Sequence, residues 1–348
     1  MFEDFAHVWT PVTLAKRLRR GQPLPVRVAG EDLVFFRDED GTARALLDRC
    51  PHRGVKLSLG EQRDGCLVCP FHAWKFAGDG EAKHVPLNPD AKRERLFATS
   101  FQVREVGGLL WLYTAPDPRP GEPATRTEPE VPSALTMRGA ARTYLEVDWN
   151  AHWSRAMENM LDSPHVPFVH RGTIGRFVRP HLRDDSRMEV EWEDAPFGGR
   201  TRSTLDTVHD AAATLEWFRP NIMVLHIPVP GELFRMHAMC VPVDATHMRM
   251  IVVGARTFAT LPLLNPLFNA SNRRIVNEDR AVVESSQPAE VPPPGEELSV
   301  RTDRATLQFR RYYFDVLKGS SARHPRARVV PVRDDAHEEH APHLRLAH

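Results

Sequence analysis

Three thiols and two imidazoles stand in one short stretch, CPHRGVKLSLGEQRDGCLVCPFH, over residues 50–72, and two of the thiols, Cys50 and Cys69, each stand close to a histidine on the C-terminal side. Cys50 and His52 have one residue between them, Cys69 and His72 have two, and sixteen residues separate the pairs. Each pair fits one tight loop, and Gly60 and Gly65 in the intervening segment allow a hairpin that returns the second loop to the first. Two Cys and two His can hold a structural zinc ion tetrahedrally. They suit a [2Fe–2S] cluster better, with two thiolates on one iron and two imidazoles on the other, because each loop here supplies one ligand of each kind.

A cluster of this sort carries one electron at a time, so substrate chemistry requires a second site. ENMLDSPHVPFVH, residues 158–170, supplies His165 and His170 with four residues between them, beside Asn159 and Asp162. Two imidazoles leave a non-haem Fe(II) site one carboxylate short of the 2-His-1-carboxylate triad. NRRIVNEDRAVVESSQP, residues 272–288, offers Glu278, Asp279 and Glu284, and residue types alone leave the choice open; so dense a mixture of charges also fits a solvated helical face.

These residues need a frame. A chain of 348 residues exceeds the usual size of one core, so two domains are expected. Short strands with turn residues between them, as in LPVRVAGEDLVFFRDEDGTARALLD, run through the first hundred residues, and GGLLWLYTAP, residues 107–116, adds one more. Pro116, Pro118, Pro120, Pro123, Pro129 and Pro132 then mark an extended crossing. WNAHWSRAMENMLD has helical periodicity, and six strand-like runs follow it between residues 187 and 258. Helices are expected from about Pro266 to Ser286 and from about Asp303 to Lys318. The expected division is 1–115, a linker over 116–140, a second domain over 141–321 and a disordered tail over 322–348, in an α+β fold.

Lys plus Arg and Asp plus Glu both number 46, which leaves no net field for nucleic acid or an anionic membrane. The amino terminus lacks a basic stretch followed by an apolar core, and no window approaches the roughly 20 apolar residues of a membrane span. A soluble, cytoplasmic protein with a small-molecule partner is expected. Of the four cysteines, Cys66 and Cys240 are expected to be ordinary thiols in a reducing compartment.

CPHRG followed by CPFHAWKF resembles the Rieske signature of the ring-hydroxylating and demethylating non-haem iron oxygenases, and Asn159-x-x-Asp162-x-x-His165 with His170 resembles the mononuclear iron motif of the same family. The chain is similar to vanillate and dicamba O-demethylases and caffeine N-demethylases. The resemblance implies an N-terminal all-β Rieske domain, a helix-grip-like catalytic domain around a curved antiparallel sheet, and a head-to-tail homotrimer. It implies that Cys50, His52, Cys69 and His72 hold the [2Fe–2S] cluster, and that His165, His170 and Asp279 hold mononuclear Fe(II). It further implies that Asp162 bridges to a cluster histidine of the neighbouring subunit and that Asn159 lies near the iron. A separate NAD(P)H-dependent reductase or a ferredoxin would supply electrons, since no flavin or nicotinamide fingerprint is present.

The implied reaction uses O2 to oxidise a C–H bond of a small substrate, either by hydroxylation or by oxidative O- or N-demethylation. Met and Leu in IMVLHIPV and LFRMHAMC suggest a largely apolar pocket, to which Asn221, His226, Arg235 or His237 could add a polar group. Ala73 stands where the family has Gly after the last cluster ligand, and Trp74 and Phe76 are expected to shield the cluster. The alternative is an electron-transfer protein with a non-catalytic binding domain, which would have no use for His165, His170 and Asp279 together.

Overall fold

The computed structural model describes residues 1–118, 128–208 and 212–319. The expected tail over 322–348 and residues 119–127 of the expected linker lie outside them.

The N-terminal part contains two antiparallel sheets. Trp9–Leu14, Leu24–Val28, Glu31–Arg37, Ala43–Leu47, Ser100–Val106 and Leu109–Pro116 form a six-stranded sheet in which the first strand pairs with the last. Val106 pairs with Leu109 across Gly107 and Gly108, whose φ values of 64° and 78° suit the tight turn that matches strand twist. A four-stranded sheet of Glu61–Arg63, Cys66–Val68, Lys75–Phe76 and Ala82–His84 is inserted between the fourth and fifth strands. Asp64 and Gly65 close the anticipated hairpin at its first turn, both with positive φ, and Glu61 pairs with Val68. The insert has its own core around Phe36, Leu57, Leu67 and Phe76.

The C-terminal part is a seven-stranded antiparallel sheet with helices on one face. In order across the sheet the strands are Ala141–Trp149, Met248–Arg256, Phe234–Pro242, Ile222–His226, Ala212–Phe218, Gly198–Leu205 and Met188–Ala195. The helices are α1 (Trp153–Leu161), α2 (Val166–Val169), α3 (Asn265–Val283) and α4 (Arg304–Tyr312), the last extended by a wider turn over Tyr313–Leu317. Along α3 the buried positions are Asn272, Ile275, Val276, Asp279 and Val283, a stripe of helical period that lays one face on the sheet.

Both faces of this sheet are covered. The helix side takes Met223, Met236, Ala238, Cys240, Met250 and Val252 into a core with Trp153, Met157, Ile275 and Val276. The opposite side packs Ile222, Val224, Met239, Val241, Ile251 and Val253 against Leu14, Leu109, Trp111 and Leu135. The expected linker is therefore not free throughout: Leu135 is buried on the sheet, and Val131 packs beside it. Polar contacts seal the same junction, with Asn221 Nδ2 donating to Thr10 Oγ1 at 3.0 Å and the Ala29 and Gly30 amides donating to the Pro242 and Val243 carbonyls at 2.9 Å each. The broad buried contact holds the two parts as one packed unit.

Behind α1, Arg155 and Arg310 share the carboxylates of Glu158 and Glu297. The hydrogen bond from Arg155 lowers the Glu297 carboxyl to about 2; burial opposes this, and Arg310 adds to it. An acid whose folded pKa is depressed stabilises the fold above its ordinary value of 4.5, and that contribution fades as pH falls toward 2. Glu297→Gln should therefore cost about 1–2 kcal/mol at neutral pH, discounted because Glu297 is one-third exposed. Urea unfolding should show this gap to wild type shrinking between pH 4.5 and 3; a gap independent of pH would refute it.

Candidate metal centres

Cys50 and Cys69 begin two turns built alike. In the first, the Cys50 amide donates to the Val55 carbonyl at 2.8 Å and the Gly54 amide returns to the Cys50 carbonyl at 2.8 Å. In the second, the Cys69 amide donates to the Trp74 carbonyl at 2.9 Å and the Ala73 amide returns to the Cys69 carbonyl at 3.0 Å. Both loops pass through the left-handed region at the fifth residue, Gly54 with φ 72° and Ala73 with φ 55°. That conformation explains why Gly is the usual residue there, and Ala73 bears it at a cost of about 1–2 kcal/mol.

The turns bring their side chains together. Cys50 and Cys69 are buried and their thiols interact, while the His52 and His72 ring centroids lie 4.7 Å apart. Burial raises the Cys50 thiol to about 11; the His52 and Arg53 amides, which donate to its sulfur, oppose this, and Cys69 adds to it. A buried facing pair of thiols ionises only beside strong positive charge, and His52 Nδ1 is buried without a protein partner. Both features fit a site for iron held by two thiolates and two imidazoles. Trp74 stacks on His52 with centroids 4.6 Å apart and planes within 6°, while Phe71 stacks on His72 at 4.0 Å. Trp74 thus covers one face of His52, whereas Phe76 sits deeper in the core of the insert. The stack of Phe71 had no counterpart among the sequence expectations.

His165 and His170 bracket α2, a single turn with Pro167 in its first turn, so one helical turn sets both imidazoles on the same side. His165 Nε2 and His170 Nε2 are 3.3 Å apart, and Asp279 Oδ1 lies 3.5 Å from the first and 3.1 Å from the second. One ligand atom from each of His165, His170 and Asp279 lies within 4.8 Å of the others, as a metal-binding group requires. Gly175 permits the close return of the following chain, since a Cβ there would meet the Val166 carbonyl oxygen at 2.2 Å.

Asp279 is 4% exposed. Burial disfavours its charge, but hydrogen bonds from His165 and His170 hold its carboxyl down to about 2. Asn159 Nδ2 donates to Oδ1 of Asp279 at 3.0 Å, so Asn159 touches the carboxylate rather than an imidazole. Burial opposes the charged form of His170 as well, yet Asp279 and Glu278 raise it. An anionic carboxylate packed against two imidazoles, with no ion pair to a lysine or arginine among the described residues, fits a divalent cation.

The other two candidate acids, Glu278 on α3 and Glu284 just past its end, turn elsewhere. Glu278 Oε2 meets His170 Nδ1 at 3.0 Å, and Glu284 bonds Arg280 Nε and the Asn150 amide. Asp162 ends α1, with Oδ2 3.8 Å from His165 Nδ1 and its side chain one-third exposed. Burial raises its carboxyl and His165 partly offsets that. Seen by sequence only as a rival ligand, Glu278 is a partner of His170; Thr173, which bonds the same oxygen, went unnoticed.

The polar candidates on the strands do not reach this site. Asn221 ties Thr10 to the Cys240 carbonyl, His226 Nε2 lies 3.1 Å from Glu216 Oε2, and His237 Nδ1 donates to the Val253 carbonyl at 2.9 Å. Arg235 pairs with His226 across the strands and, like His237, alternates with the residues that face α3. Strand alternation sends Met236, Ala238 and Cys240 to the metal side and Arg235 and His237 to the other.

Comparison with known proteins places two family models on the chain: the Rieske [2Fe-2S] domain on residues 8–101 and the vanillate O-demethylase oxygenase C-terminal domain on residues 149–318. The phthalate 4,5-dioxygenase oxygenase subunit of Pseudomonas putida is 29% identical over 264 residues, 69% of this chain and 57% of its own length. The 4beta-methylsterol monooxygenase of Methylococcus capsulatus is 34% identical over 183 residues, 51% of this chain and 47% of its own. The chain thus spans about half the length of these curated relatives. Among solved structures, NdmA of Pseudomonas putida CBB5 superposes with a TM-score of 0.73 at 24% identity, covering 90% of both chains. Dicamba monooxygenase bound to 3,6-dichlorosalicylic acid superposes with a TM-score of 0.73 at 21% identity, covering 92% of this chain and 99% of its own. These structures share the fold, a β-rich Rieske part followed by a curved antiparallel sheet with helices.

Proposed function

The chain belongs to the Rieske non-haem iron oxygenases, as a terminal oxygenase subunit, and from that premise we propose that it oxidises a small, largely apolar aromatic or cyclic substrate with O2. The observation that carries the reading is the buried convergence of His165, His170 and Asp279 beside an apolar sheet face. A carrier of electrons alone would have no use for it. Cys50, His52, Cys69 and His72 would hold the [2Fe–2S] cluster, and His165, His170 and Asp279 the mononuclear iron. The two groups supply single electrons and the activation of O2 at open coordination positions.

The protein's own residues prepare that chemistry. Asn159 steadies Asp279 by donating to Oδ1. Met223, Met236, Ala238 and Val252 line the helix-facing side of the sheet, which keeps water away and favours apolar substrates. Hydroxylation of a methyl group on oxygen or nitrogen gives a hemiacetal or hemiaminal that loses formaldehyde; elsewhere the product is an alcohol. Electrons would come from a separate NAD(P)H-dependent reductase or ferredoxin, and the working unit would be a head-to-tail homotrimer in which Asp162 faces the neighbouring cluster. No helix among the described residues is long and apolar enough to cross a membrane.

The test is a screen of methoxy- and N-methyl-aromatic compounds and simple cyclic substrates with NADH and a surrogate reductase, following O2 uptake and formaldehyde. Turnover with O2 consumed about one to one with product is expected. Product formation in strictly anaerobic solution would sink the reading.

A further inference from the structure

We propose that Glu278 is a positioning residue that locks His170, and that the two imidazoles of the metal site are therefore held unequally. The inference rests on the reading of His165, His170 and Asp279 as the metal-binding group. A carboxylate only accepts hydrogen bonds, so the 3.0 Å contact between His170 Nδ1 and Glu278 Oε2 fixes a proton on Nδ1 and leaves Nε2, which here lies 3.1 Å from Asp279 Oδ1, as the nitrogen that would offer its lone pair to a metal once its own proton is displaced. Nε2 is the nitrogen that points to His165 and Asp279. Glu278 thus acts from the far side of the ring and cannot share a metal with Nε2.

The carboxylate is itself held. Thr173 Oγ1 donates to the same Oε2, and Arg274 Nε lies 3.8 Å from Oε1 one helical turn away. Gly172 makes room for this arrangement, since a Cβ there would meet Arg274 Nη2 at 2.9 Å and Glu278 Oε1 at 3.4 Å. The His170 ring is 2% exposed, so it has little freedom to find another partner.

His165 has no such lock. Its Nδ1 is buried without a hydrogen-bond partner, and the nearest carboxylate oxygen, on Asp162, is 3.8 Å away. A ligand whose tautomer and orientation are set in advance binds metal with less reorganisation, and outer partners of this kind are worth about 10- to 100-fold in metal affinity. His170 with Asp279 would form the permanent half of the site, and His165 the half whose orientation is left open within one chain.

The experiment uses the full chain, purified anaerobically, with Glu278→Ala, Glu278→Gln and Thr173→Val. Release of Fe(II) to a coloured chelator and the visible spectrum of the Co(II)-loaded site are measured alongside metal-free melting. Glu278→Ala is expected to release metal about 10- to 100-fold faster, with an altered Co(II) spectrum. Glu278→Gln, which keeps an acceptor for Nδ1–H, should stay nearer to wild type, and Thr173→Val should fall between. Equal release rates and an unchanged Co(II) spectrum in Glu278→Ala and Glu278→Gln would overturn the inference. Loss of all mononuclear metal in Glu278→Ala, with full metal in Asp279→Ala, would overturn it by making Glu278 the ligand. A wild-type chain that holds cluster iron but takes up neither Fe(II) nor Co(II) would overturn the metal-site reading itself, and this inference with it.

Discussion

Asp279→Ala is expected to empty the mononuclear site and abolish turnover while the cluster spectrum survives. Among the described residues Asp279 supplies the one carboxylate oxygen in the group with His165 and His170, and at about 2 its carboxyl is ionised at any working pH. Removing it takes away one ligand of three together with the charge that offsets a divalent cation. The loss should exceed the 10- to 100-fold that outer partners of a metal typically contribute. It also leaves Asn159 Nδ2 without its acceptor in a closed site, so Asp279→Asn is the gentler companion. Cys69→Ser should do the reverse and remove the [2Fe–2S] absorbance while Co(II) still enters the other site. Anaerobic iron and sulfide analysis with EPR of the reduced protein reads both. Metal retained in Asp279→Ala, or lost instead in Glu284→Ala, would disprove the assignment.

Asp162→Asn is expected to keep both metal centres and a normal rate of cluster reduction, yet slow cluster reoxidation about 10- to 100-fold in the presence of substrate and O2. Asp162 sits at the end of α1, one-third exposed, with its carboxylate 3.8 Å from His165. It lies beside its own candidate metal site and, in the proposed trimer, would also face a neighbouring protomer. The packed junction between the N-terminal part and the sheet, from Thr10 to Asn221 and from Leu14 to Val253, weighs against a domain that swings across within one chain. Asn keeps size and capping ability but could not make the charge-assisted hydrogen bond to a neighbouring cluster histidine that the proposed trimer would provide, worth about 1.5–3 kcal/mol, which is one to two decades in rate. Stopped-flow absorbance of the reduced cluster decides the matter. A reoxidation rate equal to wild type, or a variant that only melts earlier, would remove Asp162 from the electron path.

The residue types were legible because metal chemistry restricts them: few side chains ligate iron, and Cys50, His52, Cys69, His72, His165 and His170 all lie in short local motifs. The six strand runs were legible because period-two alternation is local, and each overlaps a strand of the large sheet, although the runs beginning at Arg200 and Ile222 continue past the strand ends at Leu205 and His226. Asp279 carried a further signal in its helical period, as an acid on the stripe of Ile275, Val276 and Val283, whereas Glu278 lies 100° around the helix.

What tertiary structure alone decided was direction and distance. Which face of the sheet meets the candidate iron site depends on register and on what packs behind it, so His226, Arg235 and His237, which the sequence left open between pocket residues and satisfied strand residues, turn away in the fold. The approach of Glu278 to His170 spans 108 residues and is set by how α3 crosses the sheet, which no local pattern encodes. The need for Ala73 to take a positive φ likewise emerges only from the closed turn that brings Cys69 to Cys50. Sequence determined which atoms could bind metal; packing of the helices against one sheet face determined which of them meet, and which neighbours hold them there.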